Sequence, residues 1–503
     1  MIVEDDTLGT VTATYGELAK RSSQFAQLLR KRGVVRGDRV LIRLPNCIDY
    51  PTAFLGAMKV GCIAVPTSTL LTVEEVLYLA KNSGANVLVL DHTTWEQIAP
   101  RIGDAPTAKL VLLSGSGKFI ENCHVTALDL KPALDAITVW SAAHATRASD
   151  PAYLVYTSGT TGYPKGVLHA HRALIGREPA SQYWFSFDAN CVDRILHSGK
   201  FNWTYVLGSG LMDPLYHGKT VIVHEGKNDA NTWTRLIAKH GATIFIGVPT
   251  IYRQIIQKTS DTSSSVPTLR LCMSAGEHLS DDMLAAWQTR FGLQIYEAVG
   301  MSEFSYYLSQ SAYRPIRPGS AGFAQPGHNI KLLDPQTLQE VPHGEEGMIA
   351  VPETDPGLFL RYWNMPEETA RYLHDGYFFT GDYAKLDDDG YLWFLGRKDD
   401  IIKSFGYRVS PYEVERVLKS HPAVADCACI GEAIEKDKLI VVAYVIAQPN
   451  SEVTAEQLQS FGQQQLAAYK APRRIYLAKD FPRTKNGKIL RREISPVIAT
   501  SHS

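Results

Sequence analysis

Between positions 151 and 174 the chain reads PAYLVYTSGTTGYPKGVLHAHRAL, an apolar strand running into a loop of hydroxyls, glycines and a lysine, with a helix expected after it. Glycine lets backbone N–H groups turn toward one anion. Thr157, Ser158, Thr160 and Thr161 add hydroxyl donors around Gly159 and Gly162, and Lys165 adds positive charge. This is phosphate-binding chemistry. It is not a Walker loop, because no G-x-x-x-x-G-K-[ST] spacing is present, and that argues against a P-loop NTPase. A polar surface turn is the alternative, but such a turn has no need of TSGTTG followed by PKG.

The elements that position this loop are legible from periodicity. Thr14 and Glu17 form a capping signal, followed by Leu18, Phe25, Leu28 and Leu29 at helical spacing and Gly33 as a stop. Strand RVLIRL follows, then a helix over Tyr50 to Val60 and strand CIAVP. Thr72 and Glu75 open another helix, which ends at Gly84 before NVLVL. The alternation recurs in TVIVH, Thr232 to His240 and TIFIGVP. Helices alternating with short apolar strands predict βαβ units and a parallel sheet covered on its faces.

After about residue 330 the style changes. NIKLLD, GMIAV, YAKLD and YLWFLG are short strands between turn-rich segments, with DDDG at 387 to 390 a hairpin signal. They predict an antiparallel barrel or small sheet. From Asp399 the order reads strand, helix, strand, strand, helix, with Ser410, Pro411 and Glu413 opening the first helix by a capping box and Thr454 with Gln457 opening the second. A compact α+β domain of about a hundred residues fits.

A chain of 503 residues is too long for one core and needs two or more domains. Its 51 basic and 52 acidic residues nearly cancel, and no single-sign block offers a nucleic-acid footprint. Seven scattered cysteines do not make a disulfide framework, and Cys427 with Cys429 reads as two small residues buried on one strand face. The acidic start MIVEDDTLGT lacks the features of a signal peptide, and the longest apolar runs are strand-sized. A cytoplasmic protein without a membrane span is the expectation.

YTSGTTGYPKG is similar to the signature loop of the adenylate-forming superfamily of acyl- and aryl-CoA synthetases, peptide-synthetase adenylation domains and firefly luciferase. In the family's order follow SAGE at 274 to 277, EAVGMSE at 297 to 303, YFFTGD at 377 to 382, GRKDDIIKSFGYRVSPYEVE at 396 to 415 and PRTKNGKILRRE at 482 to 493. GKFNWTYVLGSGLMDPL, SAGE and RYWNMPEETARYLHDGYF lean toward benzoate-CoA ligases. Two departures stand out. Lys200-Phe201-Asn202-Trp203 replaces a Pro-Leu-Tyr-His-like segment, so the usual acyl-site histidine is missing. Val299 stands where many relatives place Tyr, which puts aromatic stacking on adenine there in question.

The resemblance implies an α/β fold: an N-terminal adenylation domain over 1–398, built of layered βαβ sheets and a small β-barrel-like subdomain, then a small mobile α+β lid over 399–503. It implies that Thr157, Ser158, Gly159, Thr160, Thr161, Gly162 and Lys165 hold the β- and γ-phosphates of ATP. Ala275, Gly276, Glu277, Glu297, Ala298, Val299 and Gly300 border the nucleotide, and Asp382 and Arg397 hold ribose and phosphate. Glu303 holds Mg²⁺, Ser302 meets the α-phosphate or acyl carboxylate, and Lys488 reaches the α-phosphate during adenylation. Asp399 is the hinge, and Ser404, Phe405 and Gly406 lie on the coenzyme A side. Asn202, Trp203, Thr204 and Tyr205 face the acyl group, where the indole favours a planar aromatic or compact acid; a core tryptophan is the alternative. The partners implied are a small carboxylic acid, ATP and CoA, and a homodimer is compatible. Transfer to an amine or carrier protein is the alternative chemistry. A non-catalytic nucleotide-binding protein is the remote one, since Lys488, Asp382, Arg397 and Glu303 are all present.

Overall fold

The computed structural model describes residues 1–494 except positions 123, 141, 158–163, 188–189, 277–278, 398–399, 405–406, 436–437, 450 and 484–488. Thr14 and Thr72 each cap a helix through a reciprocal box with Glu17 and Glu75, giving Tyr15–Lys31 and Val73–Ser83. Strands Arg39–Arg43, Ile63–Pro66 and Ala85–Asp91 pair in parallel, because a helix carries the chain back before each new strand begins. They form the middle of an eight-stranded sheet. It continues through Leu110–Ser114 to Thr126–Asp129 on one side and through Pro151–Thr157 and Lys165–Ala170 to Arg361–Tyr362 on the other.

A nine-stranded sheet stands beside it. Its inner strands are Ile295–Met301, Leu271–Ala275, Ile244–Gly247, Arg194–His197, Thr220–Glu225 and Ile2–Asp5, all parallel to one another. Ser305–Ser309 and Phe323–Ala324 close one edge and Gly9–Thr12 the other. Val40, Leu41 and Ile42, like Ile244, Phe245 and Ile246, are buried on consecutive positions, as parallel strands covered on both faces must be. A core between the sheets takes Phe25 and Leu29 from the first helix, Phe54 from Asp49–Lys59, and Val223 and Tyr307 from the nine-stranded sheet.

Past residue 330 a five-stranded antiparallel sheet forms from Lys331–Leu333, Glu346–Pro352, Leu373–His374, Tyr377–Leu386 and Leu392–Arg397. YAKLD, expected as a strand of its own, continues the motif YFFTGD in one strand, and the chain passes through Gly381 at a φ of +78°, which only glycine adopts cheaply. Asp382 therefore lies inside a strand. From Ile402 a mixed five-stranded sheet packs with helices Pro411–Lys419 and Ala455–Gln465. Two short strands, Ile402–Ser404 and Tyr407–Val409, precede the first of these helices where one was expected. Ser410 caps it, but Glu413 turns to Lys470 at 2.6 Å, so the expected capping box is only half made. Cys427 and Cys429 are both buried on Val424–Glu435. Among the described residues no helix is long and apolar enough to cross a membrane.

Candidate active site

The phosphate loop does not join a strand to a helix. It closes an antiparallel hairpin: Pro151–Thr157 pairs with Lys165–Ala170, and helix Arg172–Phe185 begins only afterwards. Val167, Leu168 and Ala170 are buried in the sheet, and that packing overrides the helix reading of the segment. Thr157 and Lys165 stand opposite each other at the loop end of the hairpin. Ser158, Gly159, Thr160, Thr161 and Gly162 lie outside the described residues. Lys165 forms an ion pair with Glu368 of helix Pro366–Tyr372, and its ammonium lies 5.8 Å from the Tyr362 ring centroid. The Tyr362 hydroxyl donates to Glu303 Oε1 at 2.8 Å, so one tyrosine ties the loop lysine to the family carboxylate.

Ser302 and Glu303 occupy the turn between Ile295–Met301 and Ser305–Ser309. His169 of the hairpin donates from Nε2 to the Ser302 carbonyl at 2.8 Å, with its ring stacked on Tyr153 at 4.6 Å. Burial pushes this histidine down to about 4, so it is neutral and its proton belongs on Nε2. Burial also raises the Glu303 carboxyl above its ordinary value, against the Tyr362 hydrogen bond. Asp382 is buried, and its Oδ2 accepts the Tyr307 hydroxyl at 2.9 Å. Arg397 faces it in register, Nε 3.5 Å from Oδ1. The Arg397 proton is held more tightly than usual, chiefly by Asp382 and in part by Glu303, which puts the three groups in one electrostatic field.

Ala275 and Ala298 are the last register partners of two parallel strands, at the carboxyl end of their pairing, the side on which open α/β sheets bind ligands. Gly276 follows at a φ of +100°, and a methyl group there would lie 3.8 Å from the Trp203 indole. Asn202, Trp203, Thr204 and Tyr205 are all half-buried, whereas Trp184, Trp233 and Trp287 are fully buried, so Trp203 packs on the core with part of its surface left accessible. Asn46 holds this segment, donating to the Gly199 carbonyl at 3.0 Å and accepting from Phe201 N at 3.0 Å. Val299 is half-buried and Gly300 exposed on the strand that leads to Ser302. Glu297 behaves differently. Its Oε1 accepts from Leu279 N at 2.8 Å, bracing the loop after Gly276 from the other face of the sheet.

Ser404 is buried on Ile402–Ser404, while Glu277, Asp399, Phe405, Gly406 and Lys488 lie outside the described residues. Sequence reasoning missed Glu368, Tyr362, Tyr307, His169 and Asn46. The first two sit in RYWNMPEETARY, which was used only for its likeness; the others act through contacts across long sequence separations and carry no local signal. A cleft of about 420 Å³ lined by Tyr183, Phe323, Ile330, Leu332, Val341 and Leu386 lies elsewhere and contains none of the motif residues.

Residues 3–363 match the family described as AMP-binding enzyme, and residues 413–488 match the AMP-binding enzyme C-terminal domain. The human mitochondrial acyl-coenzyme A synthetase ACSM3 is 30% identical over 492 residues, covering 96% of this chain and 82% of its own. The benzoate–CoA ligase of Thauera aromatica is 33% identical over 485 residues, covering 95% of this chain and 89% of its own. The crystal structure of the anthranilate CoA ligase AuaEII with anthranoyl-AMP superposes with a TM-score of 0.86 at 30% identity, over 97% of this chain and 92% of that one. With its ordered motifs and paired sheets, the chain belongs to the AMP-binding enzyme family, as an AMP-forming acid–thiol ligase of the acyl- and aryl-CoA synthetase branch.

Proposed function

We propose that this ligase activates a compact or aromatic carboxylic acid and passes the acyl group to CoA. A carboxylate cannot expel oxide, so one of its oxygens attacks the α-phosphorus of ATP and pyrophosphate leaves with the displaced bond pair. The thiolate of CoA then attacks the acyl carbon of the adenylate and AMP departs, so no protein nucleophile is required. Lys165 and the loop hold the β- and γ-phosphates, Asp382 and Arg397 hold the ribose end, and Lys488 stabilises charge building on the α-phosphate. Glu303 suits a Mg²⁺ carried in on the nucleotide: it offers one hard oxygen site, and the described residues form no His, Cys, Asp or Glu cage that would replace the phosphates as ligands. When bound, that ion neutralises charge on the phosphates. The division falls at 398/399, with Asp399 as hinge, residues 399–503 moving as the lid, and Ser404, Phe405 and Gly406 on the CoA side.

The observation that supports the acid class is the Trp203 indole beside Gly276, its Cζ2 and Cη2 3.8 Å from where a methyl on Gly276 would lie, a bulky ring that would shorten the proposed acyl cavity. An amino-acid substrate would need a free carboxylate for its ammonium. Asp213, on the helix that follows this segment, is instead engaged by Arg177 at 2.6 Å and by the Tyr306 hydroxyl. The test is pyrophosphate release across aromatic and aliphatic acids, with and without CoA. Compact and aromatic acids should release it, with thioester formed only when CoA is present. Turnover confined to long alkyl acids, or thioester-free turnover with an amine acceptor, would overturn the reading.

A further inference from the structure

Strand Arg194–His197 ends just before the acyl segment, and its last residue is a buried histidine, 1% exposed. By strand alternation His197 lies on the face of the nine-stranded sheet that carries Ile195, Ile246, Met273, Ala275 and Ala298, and Trp184, Tyr205 and Tyr306 pack on that face. The His197 and Tyr205 rings meet edge to face at 5.0 Å, and Tyr205 in turn meets Trp203 at 5.3 Å. Gly199 N donates to His197 Nδ1 at 3.0 Å, so the neutral ring must carry its proton on Nε2. Burial pushes the imidazole down to about 3 and holds the Tyr205 phenol well above its ordinary value, so both stay neutral donors.

Neither donor has a partner among the described residues. His197 Nε2 and the Tyr205 hydroxyl are both out of solvent contact and make no hydrogen bond to any described residue. The neighbouring polar groups are already used: the Tyr306 hydroxyl is on Asp213, and Ser209 Oγ donates to the Tyr205 carbonyl at 2.7 Å. The ring sits where it does because Gly210 has no side chain; a methyl there would come within 3.0 Å of His197 Cδ2. A histidine accommodated in this way, with its one donor left over beside a second unpartnered hydroxyl, is wasteful as core and suited to a ligand.

We infer that the acid carries an oxygen substituent on its ring, and that His197 Nε2–H and the Tyr205 hydroxyl bind that oxygen. The inference rests on the proposed acyl site and adds the substituent. His197 supplies a donor only, so the group it meets must accept; Tyr205 can give or take, which suits a phenolic hydroxyl. A site built to hydrogen-bond such a group discriminates strongly against a substrate that leaves its buried donors unpaired.

The test compares kcat/KM for benzoate and for each hydroxybenzoate isomer against its methyl isostere, in the wild type and in Tyr205→Phe and His197→Phe. At least one hydroxy isomer should exceed its methyl partner by about a hundredfold in the wild type. That ratio should fall about tenfold or more in each variant, and His197→Gln, which restores an N–H donor, should recover part of it. Equal use of every hydroxy and methyl pair by the wild type, or ratios unchanged in both Phe variants, would overturn the inference, and the wild-type comparison stands even if a variant fails to fold. Turnover of these acids without preference removes the substituent alone. No turnover of any of them removes the aryl reading and the substituent together.

Discussion

In the proposed site, Trp203 is the side chain that sets what a shared chemistry acts on. The proposed phosphate and ribose groups would meet parts of ATP that do not change from acid to acid, whereas the indole stands beside Gly276 on the proposed acyl side. Removing it leaves space on the acyl side without touching Asp382, Arg397 or Lys165, whose contacts lie on other strands. Trp203→Ala should therefore shift kcat/KM toward bulkier acids by about tenfold or more, the scale of a few methylenes in an apolar pocket, with the KM for ATP nearly constant. A size series of acids measures it. A uniform fall across the series, or loss of folded protein, would instead mark the indole as core, since part of its surface does pack there.

Among the elements, the hairpin Pro151–Thr157 and Lys165–Ala170 does most to assemble the site. Lys165 leaves one end of its second strand for Glu368, and His169 near the other end pins the Ser302 carbonyl beside Glu303. Burial of this histidine makes its contribution to stability depend on pH. The His169 imidazole titrates near 4 in the fold against 6.5 ordinarily, so between those values the unfolded chain takes up a proton that the folded chain refuses. Stability is full above pH 6.5 and falls as pH drops toward 4, by on the order of 3 kcal/mol from this group. His169→Phe keeps a ring on Tyr153 but loses the Ser302 bond. It should melt lower at neutral pH and show a shallower decline of Tm from pH 6.5 to 4 than the wild type. An unchanged slope would show that another group drives the acid loss. The strand behaviour of GVLHA was misread because an apolar run after a glycine loop suits helix or strand equally, and only pairing to a buried partner decides. The Thr14 and Thr72 helices were legible because a capping box is local. His197 was not, because its meaning comes from a backbone N–H two residues on and a ring eight residues on, held together by the fold.

At the scale of the whole molecule, the proposed mechanism asks how one lysine can serve one half-reaction and leave the other. Arg491 Nη2 donates to both oxygens of Glu415 at 2.7 Å, tying the Arg491–Glu493 turn to helix Pro411–Lys419; in the proposed mechanism Lys488, outside the described residues, moves with this domain. Contacts from that helix to the rest are slighter: Arg416 meets Asp281 at 3.1 Å, each about 40% exposed, and Tyr412 meets Phe394 edge to face at 5.5 Å. An exposed ion pair of that kind contributes at most about 1 kcal/mol, too little to lock one arrangement. The proposed turn about position 399 between adenylation and thioester formation would have to break these contacts of the helix among the described residues. Lys488→Ala should then lower acid-dependent pyrophosphate release by about a thousandfold, the scale of losing a transition-state charge contact, while thioester formation from supplied acyl adenylate keeps most of its rate. The two half-reactions are measured separately, the first by pyrophosphate release and the second by thioester appearance after mixing the acyl adenylate with CoA. Equal loss in both would mean that the lysine stays at the site throughout, and the turning lid would have to be given up.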